Sequence, residues 1–212
     1  MPLVIRFSLW LVAHTIFKVR IVGRENVPLC GPALLASNHV TYADGFLIAS
    51  CVKPPIRFLV WKPFFRWLGI NWVLRIIKAI PAGIGGPRET AESILRAREE
   101  LIAGHIVCIF PEGSITRTGD LLPFKRGMEK IAQELNVPVI PVHLDRLWGC
   151  IFSFEGGKVF WKWPRHVPHP VTISFGEPMA ASSSADAVRR AIQDLAAEAA
   201  AIREWEDDAL SL

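Results

Sequence analysis

Short apolar runs of strand length recur along the chain, and segments of helical length separate them. Continuous apolar runs between turn signals are typical of strands buried on both faces of a sheet. The predicted strands are residues 19–22, 32–37, 56–60, 106–110, 139–144 and 171–175. The predicted helices are residues 3–17, 43–51, 63–68, 72–77, 89–103, 125–135 and 184–205. This alternation predicts an α/β fold, in which a central, mostly parallel mixed sheet is flanked by helices in a sandwich.

The chain reads as one unit. Its 212 residues contain no repeat and no low-complexity linker, so they predict a single domain over residues 1–212. The four cysteines are widely separated and have no metal-ligand spacing, which predicts free thiols in a reducing compartment and no metal site. His166 and His169 lie in a proline-rich loop, where we expect solvated surface residues.

The composition favours a membrane surface. Hydrophobic residues make up 51% of the chain, and eight Trp stand against a single Tyr. Trp is frequent at membrane interfaces because its ring enters the apolar boundary while its N–H reaches water; a Trp-rich core is the alternative. No run approaches the roughly 20 apolar residues of a spanning helix, and the start resembles no secretory signal. These features predict a peripheral protein whose N-terminal helix, about residues 3–17, associates with the membrane.

Basic and aromatic residues are interleaved in residues 53–88, here called the basic-aromatic segment. Between Gly45 and Arg88 the chain has seven Lys or Arg and no Asp or Glu, together with several Phe and Trp. Such a mixture suits an anionic lipid surface and also single-stranded nucleic acid. The many aliphatic residues in the segment favour lipid, because a nucleic-acid groove does not need them. We therefore predict a membrane surface as a partner and no nucleic acid.

A loop with a histidine and an aspartate follows the predicted strand 32–37. His39 stands at the carboxyl end of that strand, where open α/β sheets bind ligands, and Asp44 lies in the first turn of the next helix. At this spacing the carboxylate can accept a hydrogen bond from one imidazole nitrogen and leave the other as a proton acceptor. The pair predicts a general base, although many such pairs only brace a loop.

The second polar loop is residues 110–117, directly after the predicted strand 106–110. Gly113 allows a turn or a close approach to a ligand, and Glu112 and Arg117 add a carboxylate and a guanidinium suited to phosphate. A polar turn with a salt bridge is the simpler interpretation. Ser114 is not in a Gly-x-Ser-x-Gly sequence, which disfavours a serine hydrolase.

In their order and spacing the two loops resemble the glycerolipid acyltransferase family, typified by lysophosphatidic acid acyltransferases. The resemblance rests on His-x-x-x-x-Asp after Asn38 and on Phe-Pro-Glu-Gly about 70 residues later, and it runs over about residues 15–180. Residues 137–142 resemble the family's fourth motif, and Lys62 stands where many members carry a Lys near the active site. In one departure, residues 78–83 lack the Arg that usually ends the second motif.

The resemblance implies transfer of a fatty acyl group from a thioester to the free hydroxyl of a lysophospholipid. His39 would be the base and Asp44 its orienting partner, with no cofactor and no metal. The implied substrate-binding residues, which include those for the phosphate and the thioester oxyanion, are Asn38, Lys62, Glu112, Gly113, Ser114 and Arg117. The donor would be acyl carrier protein or acyl-coenzyme A, and the acceptor 1-acylglycerol-3-phosphate or a lysophosphatidylethanolamine type.

The resemblance also bears on location and partners. Residues 112–119 and 144–149 are similar to acyltransferase modules of bacterial lysophospholipid-remodelling proteins, which implies a remodelling assembly with an acyl-activating ligase or a transporter. We expect a peripheral protein on the cytoplasmic face of the cell membrane. A non-catalytic lipid-binding module of the same fold is the alternative function.

Overall fold

A computed structural model of the chain describes residues 10–11, 13–83, 86–157, 159, 163 and 167–209. For residues 205–209 it describes the backbone only. The strands of this described part are β1 (Phe17–Val22), β2 (Ala33–Ser37), β3 (Ile56–Trp61), β4 (Ile80–Ala82), β5 (Ile106–Ile109), β6 (Val139–Asp145) and β7 (His169–Phe175). Besides the helical residues 10–11 and 13–16, its helices are α1 (Asp44–Cys51), α2 (Leu68–Ile76), α3 (Pro87–Ile102), α4 (Gly127–Leu135) and α5 (Ala185–Ala209). Short 3-10 helices occupy Arg24–Asn26, Lys62–Arg66 and Glu155–Gly157.

The strands form one seven-stranded sheet in the order β1-β7-β6-β2-β5-β3-β4. Every neighbouring pair is parallel except β6 and β7, which are antiparallel. The mixed, mostly parallel sheet between helices confirms the predicted α/β sandwich. Because β2, β5, β6, β3 and β4 run in one direction, the loops that follow them meet at one edge of the sheet, here called the carboxyl edge.

Both faces of the sheet are buried, which explains why its central strands β2 and β5 are almost entirely apolar. Along β2, Leu35 packs in a cluster with Leu47 of α1, while Leu34 packs in a second cluster on the other face with Leu101 of α3. The second cluster also contains Ile131 of α4 and residues of α5. Consecutive strand residues therefore face opposite helical layers, and this double support fixes the loops at the carboxyl edge.

Several element boundaries differ from the sequence predictions. The strand β4 was not predicted, and residues 63–68 and 72–77 form a 3-10 helix at Lys62–Arg66 and the helix α2 at Leu68–Ile76. Of the predicted N-terminal helix, residues 10–11 and 13–16 are helical and β1 begins at Phe17; residues 3–9 lie outside the described residues. Within the described residues, no helix is long and apolar enough to cross a membrane.

The basic-aromatic segment is not one continuous surface. Arg57 and Phe58 are buried in β3, and Arg57 Nε donates a 2.9 Å hydrogen bond to Glu100 of α3. Lys53 precedes β3 and Arg66 follows it, so the two cations lie at opposite ends of a six-residue strand, about 20 Å apart. The prediction of a single lipid-facing segment over residues 53–88 is therefore wrong for Arg57 and Phe58, and only part of the segment lies at the carboxyl edge.

Candidate active site

His39 stands just after β2 at the carboxyl edge, and its neighbour Asn38 holds this loop to β6. The Asn38 side-chain amide donates a 3.1 Å hydrogen bond to the Leu144 carbonyl, and its oxygen accepts one of 2.8 Å from the Leu144 N–H. Asn38 is almost fully buried. The structure thus gives Asn38 a role in positioning the His39 loop, and a contact of Asn38 with substrate stays a prediction.

Asp44, the first residue of α1, faces the imidazole of His39. His39 Nδ1 lies 2.8 Å from Asp44 Oδ2, and the carboxylate is fully buried. It also accepts hydrogen bonds from the Val40 N–H (2.7 Å), the Thr41 N–H (2.9 Å) and the Thr41 hydroxyl. A carboxylate only accepts, so Nδ1 carries the proton and Nε2 is left with a free lone pair. No described residue forms a hydrogen bond with Nε2, and the ring is 21% exposed.

The loop after β5 holds His39 from the neighbouring strand. The His39 N–H donates a 2.7 Å hydrogen bond to Glu112 Oε1, and the His39 carbonyl accepts one of 2.9 Å from the Thr116 N–H. The imidazole stacks on Phe110 with 4.0 Å between ring centroids. Since β2 and β5 are adjacent and parallel, with Ala36 opposite Ile109, the two predicted loops necessarily meet here. The His39 backbone is fixed on both sides before any substrate binds.

Both carboxylate oxygens of Glu112 accept hydrogen bonds from backbone N–H groups of the site. Its second oxygen, Oε2, accepts a 2.9 Å hydrogen bond from the Leu122 N–H, and only 4% of the residue is exposed. Burial raises the pKa of Glu112 above its ordinary value, while the hydrogen bonds from Leu122 and His39 act in the opposite direction. The geometry gives Glu112 a role in positioning His39. A direct contact of Glu112 with the glycerol or phosphate of a substrate stays a prediction.

Gly113 and Lys125 lie against each other beside Glu112. Gly113 has φ 74°, a left-handed conformation that favours glycine, and a Cβ there would lie 2.4 Å from Lys125 Nζ, so a larger residue would also displace the lysine side chain. The Lys125 N–H donates a 2.9 Å hydrogen bond to the Pro111 carbonyl, which brings this cation back to the loop. Sequence reasoning missed Lys125; its position at the start of the predicted helix 125–135, 13 residues after Glu112, was the only signal.

Arg117 belongs to a row of aromatic side chains at the same edge. Its guanidinium lies 3.4 Å from the centre of the Phe154 ring, a cation–π contact. Phe154 packs on Tyr42, three residues after His39, and Tyr42 packs edge-on against Phe64 of the basic-aromatic segment. The row connects Arg117 to the His39 loop and to residues that follow β3. Sequence reasoning missed Tyr42 and Phe154.

The remaining predicted residues are also at the carboxyl edge. Lys62 begins the 3-10 helix that follows β3, and Ser114 follows Gly113; both are exposed. Their contacts with substrate stay predictions. Among the described residues, no group of three or more His, Cys, Asp or Glu is placed to hold a metal ion.

Known proteins share both the sequence pattern and the fold. Residues 18–145 match the family model described as Acyltransferase. The chain is 30% identical over 132 residues to a chloroplastic 1-acyl-sn-glycerol-3-phosphate acyltransferase of Brassica napus, covering 62% of this chain and 38% of that protein. It is 29% identical over 140 residues to the 1-acyl-sn-glycerol-3-phosphate acyltransferase of Borreliella burgdorferi, covering 66% and 55%. The chain thus spans about half or less of the length of these relatives.

The crystal structure of PlsC from Thermotoga maritima, a 1-acyl-sn-glycerophosphate acyltransferase, has the same fold. The two structures align with a TM-score of 0.66 over 90% of this chain and 76% of that one, at 22% identity. This likeness extends the match beyond residues 18–145 to most of the sheet and its helical layers.

Proposed function

Because the chain belongs to the Acyltransferase family, we propose that it transfers a fatty acyl group from a thioester donor to the free hydroxyl of a lysophospholipid. The observation that carries the proposal is the buried Asp44 carboxylate on His39 Nδ1, which leaves Nε2 as a proton acceptor on a ring that is 21% exposed. The relatives named above act on 1-acyl-sn-glycerol-3-phosphate, so we take this phosphate-bearing acceptor as the first to test.

In the proposed reaction His39 Nε2 takes the proton of the acceptor hydroxyl as its oxygen attacks the thioester carbonyl carbon. A new ester C–O bond forms, the C–S bond breaks, and the leaving thiolate takes the proton back from the imidazolium. General-base catalysis of this kind contributes about 10²–10⁴-fold. Asp44 stabilises the imidazolium that forms in the transition state.

Direct transfer needs no acyl-enzyme, and the chemistry near His39 supports this. Cys108, on β5, is fully buried, and desolvation raises the pKa of its thiol well above the ordinary value. It is therefore protonated and unsuited to be a nucleophile. The proposed reaction requires no cofactor and no metal ion.

The acceptor phosphate would bind cations at the carboxyl edge. Arg117, Lys62 and Lys125 are exposed there and do not belong to the buried core. Arg88, the first Arg after β4, has a 94% exposed side chain and lies near Glu92 on the outside of α3. The absence of an Arg in residues 78–83 favours a headgroup contact different from that of the family's second motif, so a lysophosphatidylethanolamine-type acceptor is a reasonable second choice.

The test is a transfer assay with the full chain, measuring both released thiol and acylated lipid. Acyl-coenzyme A and acyl carrier protein are supplied in turn, each with lysophosphatidic acid and with lysophosphatidylethanolamine. We expect acylation of at least one acceptor, loss of activity in His39→Ala and full activity in His105→Ala, a histidine that precedes β5 at the opposite edge of the sheet. Lysolipid binding without thiol release would favour the non-catalytic module.

We further propose that the carboxyl-edge part of the basic-aromatic segment contacts the membrane. Trp67 is 60% exposed, Leu68 is 90% exposed and Trp72 is 66% exposed, and Arg66 beside them adds positive charge. Apolar side chains next to a cation suit an anionic bilayer. A peripheral position on the cytoplasmic face and a remodelling assembly with a ligase or transporter stay predictions.

Vesicle binding tests this surface. Arg66→Gln should weaken binding to anionic vesicles about fivefold, since one cation near the surface contributes about 1 kcal/mol. Lys53→Gln, at the opposite edge, should have no effect. Trp67→Ala should weaken binding to anionic and neutral vesicles alike, whereas Ile102→Ala, an exposed apolar residue at the end of α3, should not. Equal effects of Arg66→Gln and Lys53→Gln would contradict the proposed orientation.

A further inference from the structure

A second basic site lies at the carboxyl edge, on the other side of β6 from His39. It is a cavity of about 490 Å³, within the range of small-ligand sites, and its walls include Lys18, Arg146, Trp148 and His169. Lys18 of β1 pairs with Pro170 of β7, and Arg146 directly follows β6. Because β7 is antiparallel to β6, the starts of β7 and β1 lie where β6 ends. We call this cavity the basic pocket.

The basic pocket carries uncompensated positive charge. Within the described residues, neither Lys18 nor Arg146 has an acidic partner within ion-pair distance, whereas Arg57 and Arg98 each pair with a glutamate. Asp145, the acid next to Arg146, is 3.3 Å from Arg203 of α5. Two unpaired cations in one concave site indicate an anionic ligand.

The geometry of the pocket is fixed rather than incidental. Arg146 has φ 66°, a left-handed conformation that costs a non-glycine residue about 1–2 kcal/mol. His169 holds it there, because its Nε2–H donates a 2.7 Å hydrogen bond to the Arg146 carbonyl. His169 is therefore half-buried and bonded rather than the solvated residue that the sequence predicted; His166 lies outside the described residues. A Cβ at Gly119 would lie 2.9 Å from the Trp148 ring, so Gly119 lets the loop after β5 press on this indole.

The pocket is directly connected to the His39 loop. Leu144 lies two residues before Arg146, and both its backbone N–H and its carbonyl form hydrogen bonds with the Asn38 side chain. Thr41 bridges to Ser153, and Ser153 Oγ accepts a 3.1 Å hydrogen bond from the Gly149 N–H. The pocket spans β6, β7 and β1, so it lies one to three strand spacings from β2, about 5–14 Å sideways.

We propose that the basic pocket binds the phosphate at the far end of the pantetheine arm of the thioester donor, a group common to coenzyme A and acyl carrier protein. The inference rests on the proposed acyl transfer. The acceptor phosphate is separated from its reacting hydroxyl only by the glycerol backbone, so it must bind beside His39. The donor phosphate is separated from its thioester by the whole arm and needs a cationic site at a distance, which the basic pocket provides. Trp148 offers a flat apolar wall for the arm.

The experiment compares donors that carry this phosphate with one that lacks it. Acyl-coenzyme A, acyl-4′-phosphopantetheine, which ends at this phosphate, and the phosphate-free acyl-pantetheine are supplied to the wild type, Arg146→Asn, Lys18→Gln and the control Lys130→Gln, an exposed cation on α4. Asparagine tolerates the left-handed conformation, so Arg146→Asn keeps the local backbone. Titration calorimetry of free coenzyme A and pantetheine with the same variants measures recognition independently of turnover, and thermal unfolding confirms that each variant is folded.

We expect each pocket variant to lower kcat/KM for acyl-coenzyme A and for acyl-4′-phosphopantetheine about tenfold or more and to weaken coenzyme A binding similarly, because one charge-assisted contact is lost. Acyl-pantetheine kinetics, the KM for the lysophospholipid and vesicle binding should be unchanged. Equal losses with all three donors, no loss with any, or a loss with acyl-coenzyme A alone, which would assign the pocket to the nucleotide end, would overturn the proposal while leaving acyl transfer intact. A raised KM for the lysophospholipid or weaker binding to anionic vesicles, with donor kinetics unchanged, would assign the pocket to a lipid headgroup instead. If the wild type transferred no acyl group but coenzyme A binding were still weakened by Arg146→Asn, the proposed activity would be refuted and the pocket assignment would stand.

Discussion

Replacing Asp44 by Asn isolates the charge of the carboxylate from its shape. The carbonyl oxygen of Asp44→Asn can occupy the position of Oδ2, where it keeps the hydrogen bonds from His39 Nδ1, the Val40 N–H and the Thr41 N–H. Its NH2 then faces the Thr41 hydroxyl, which can rotate from donor to acceptor. The loop should therefore keep its conformation, and we expect the unfolding free energy to fall by only about 2 kcal/mol.

The catalytic loss should be much larger. In the transition state of the proposed reaction His39 is an imidazolium, and its Nδ1 lies 2.8 Å from the Asp44 oxygen. At an effective dielectric constant of about 20, the attraction of two unit charges at this distance is about 6 kcal/mol. That energy corresponds to about 10⁴-fold in rate, and the equivalent Asp→Asn change in a Ser-His-Asp triad lowers kcat by a similar factor.

The assay is kcat under saturation with both substrates, together with the KM for each. We expect kcat to fall about 10⁴-fold in Asp44→Asn, with both KM values within a few-fold of the wild type. Asp186→Asn, an exposed aspartate in the first turn of α5, is the control and should have full activity. A folded Asp44→Asn protein that retained a tenth of the wild-type kcat would refute the assignment of His39 and Asp44 as base and orienting partner.

Three further substitutions test Glu112 and Arg57, which the structure reassigns, and His143 of β6. In Glu112→Gln the side-chain NH2 would lie against one of the two backbone N–H groups that the carboxylate now accepts from. Two donors cannot bond each other, so kcat should fall about 10–100-fold while the acceptor KM stays nearly unchanged. A rise in KM alone would show that Glu112 binds substrate instead. Burial lowers the pKa of His143 to about 4, against a smaller opposing effect of Asp145. Lowering the pH from about 6.5 to 4 should therefore reduce the unfolding free energy by about 3 kcal/mol, because the folded state disfavours the charged imidazole. In urea titrations His143→Gln should lack this loss, and a pH dependence identical to that of the wild type would contradict the assignment. Arg57→Met removes the ion pair with Glu100, which is partly exposed and keeps His105 as a neighbour, so the fold should lose about 1–2 kcal/mol in the same titrations. No loss of stability would contradict a structural role for Arg57.

The sheet was largely predictable from the sequence because its strands are buried on both faces. Continuous apolar runs such as Leu34 and Leu35 stand out between polar loops, and they identified every strand except β4. That strand has only three residues and contains Pro81. Proline is tolerated in β4 because β4 is an edge strand of the sheet. In a sequence, however, a proline argues against a strand.

Charge patterns along the chain could not separate surface from core. Arg57 looks like its neighbours Lys53 and Arg66 in the sequence, yet its partner Glu100 is 43 residues away on α3. Whether a cation in an apolar strand is buried depends on such a distant acid, and no local pattern shows it. The predicted lipid-facing segment was therefore too broad because it included the buried Arg57, and contact of the exposed Trp67 and Trp72 with a membrane stays a prediction.

The site was predictable where its contacts are local. His39 and Asp44 are five residues apart, and the hydrogen bond between them follows from a strand, a short loop and a helix start. The direction of the Glu112 carboxylate was not predictable, because its acceptor role depends on the parallel register of β2 and β5. Lys125 and Phe154 were missed for the same reason, since each reaches the site from outside the recognised motifs.

These contacts fix the position of His39, the proposed base, before substrates bind. Asp44 fixes the ring of His39, Glu112 fixes its N–H, and a neighbouring backbone amide fixes its carbonyl. None of the three depends on a bound ligand, so removing one of them should misplace Nε2 in the transition state rather than weaken substrate binding. The substrate phosphates would then be recognised by cations outside this clamp. Substitutions of Asp44 or Glu112, which hold His39, should therefore lower kcat. Substitution of Arg117 should raise the KM for the acceptor, and substitution of Arg146 should raise the KM for the donor.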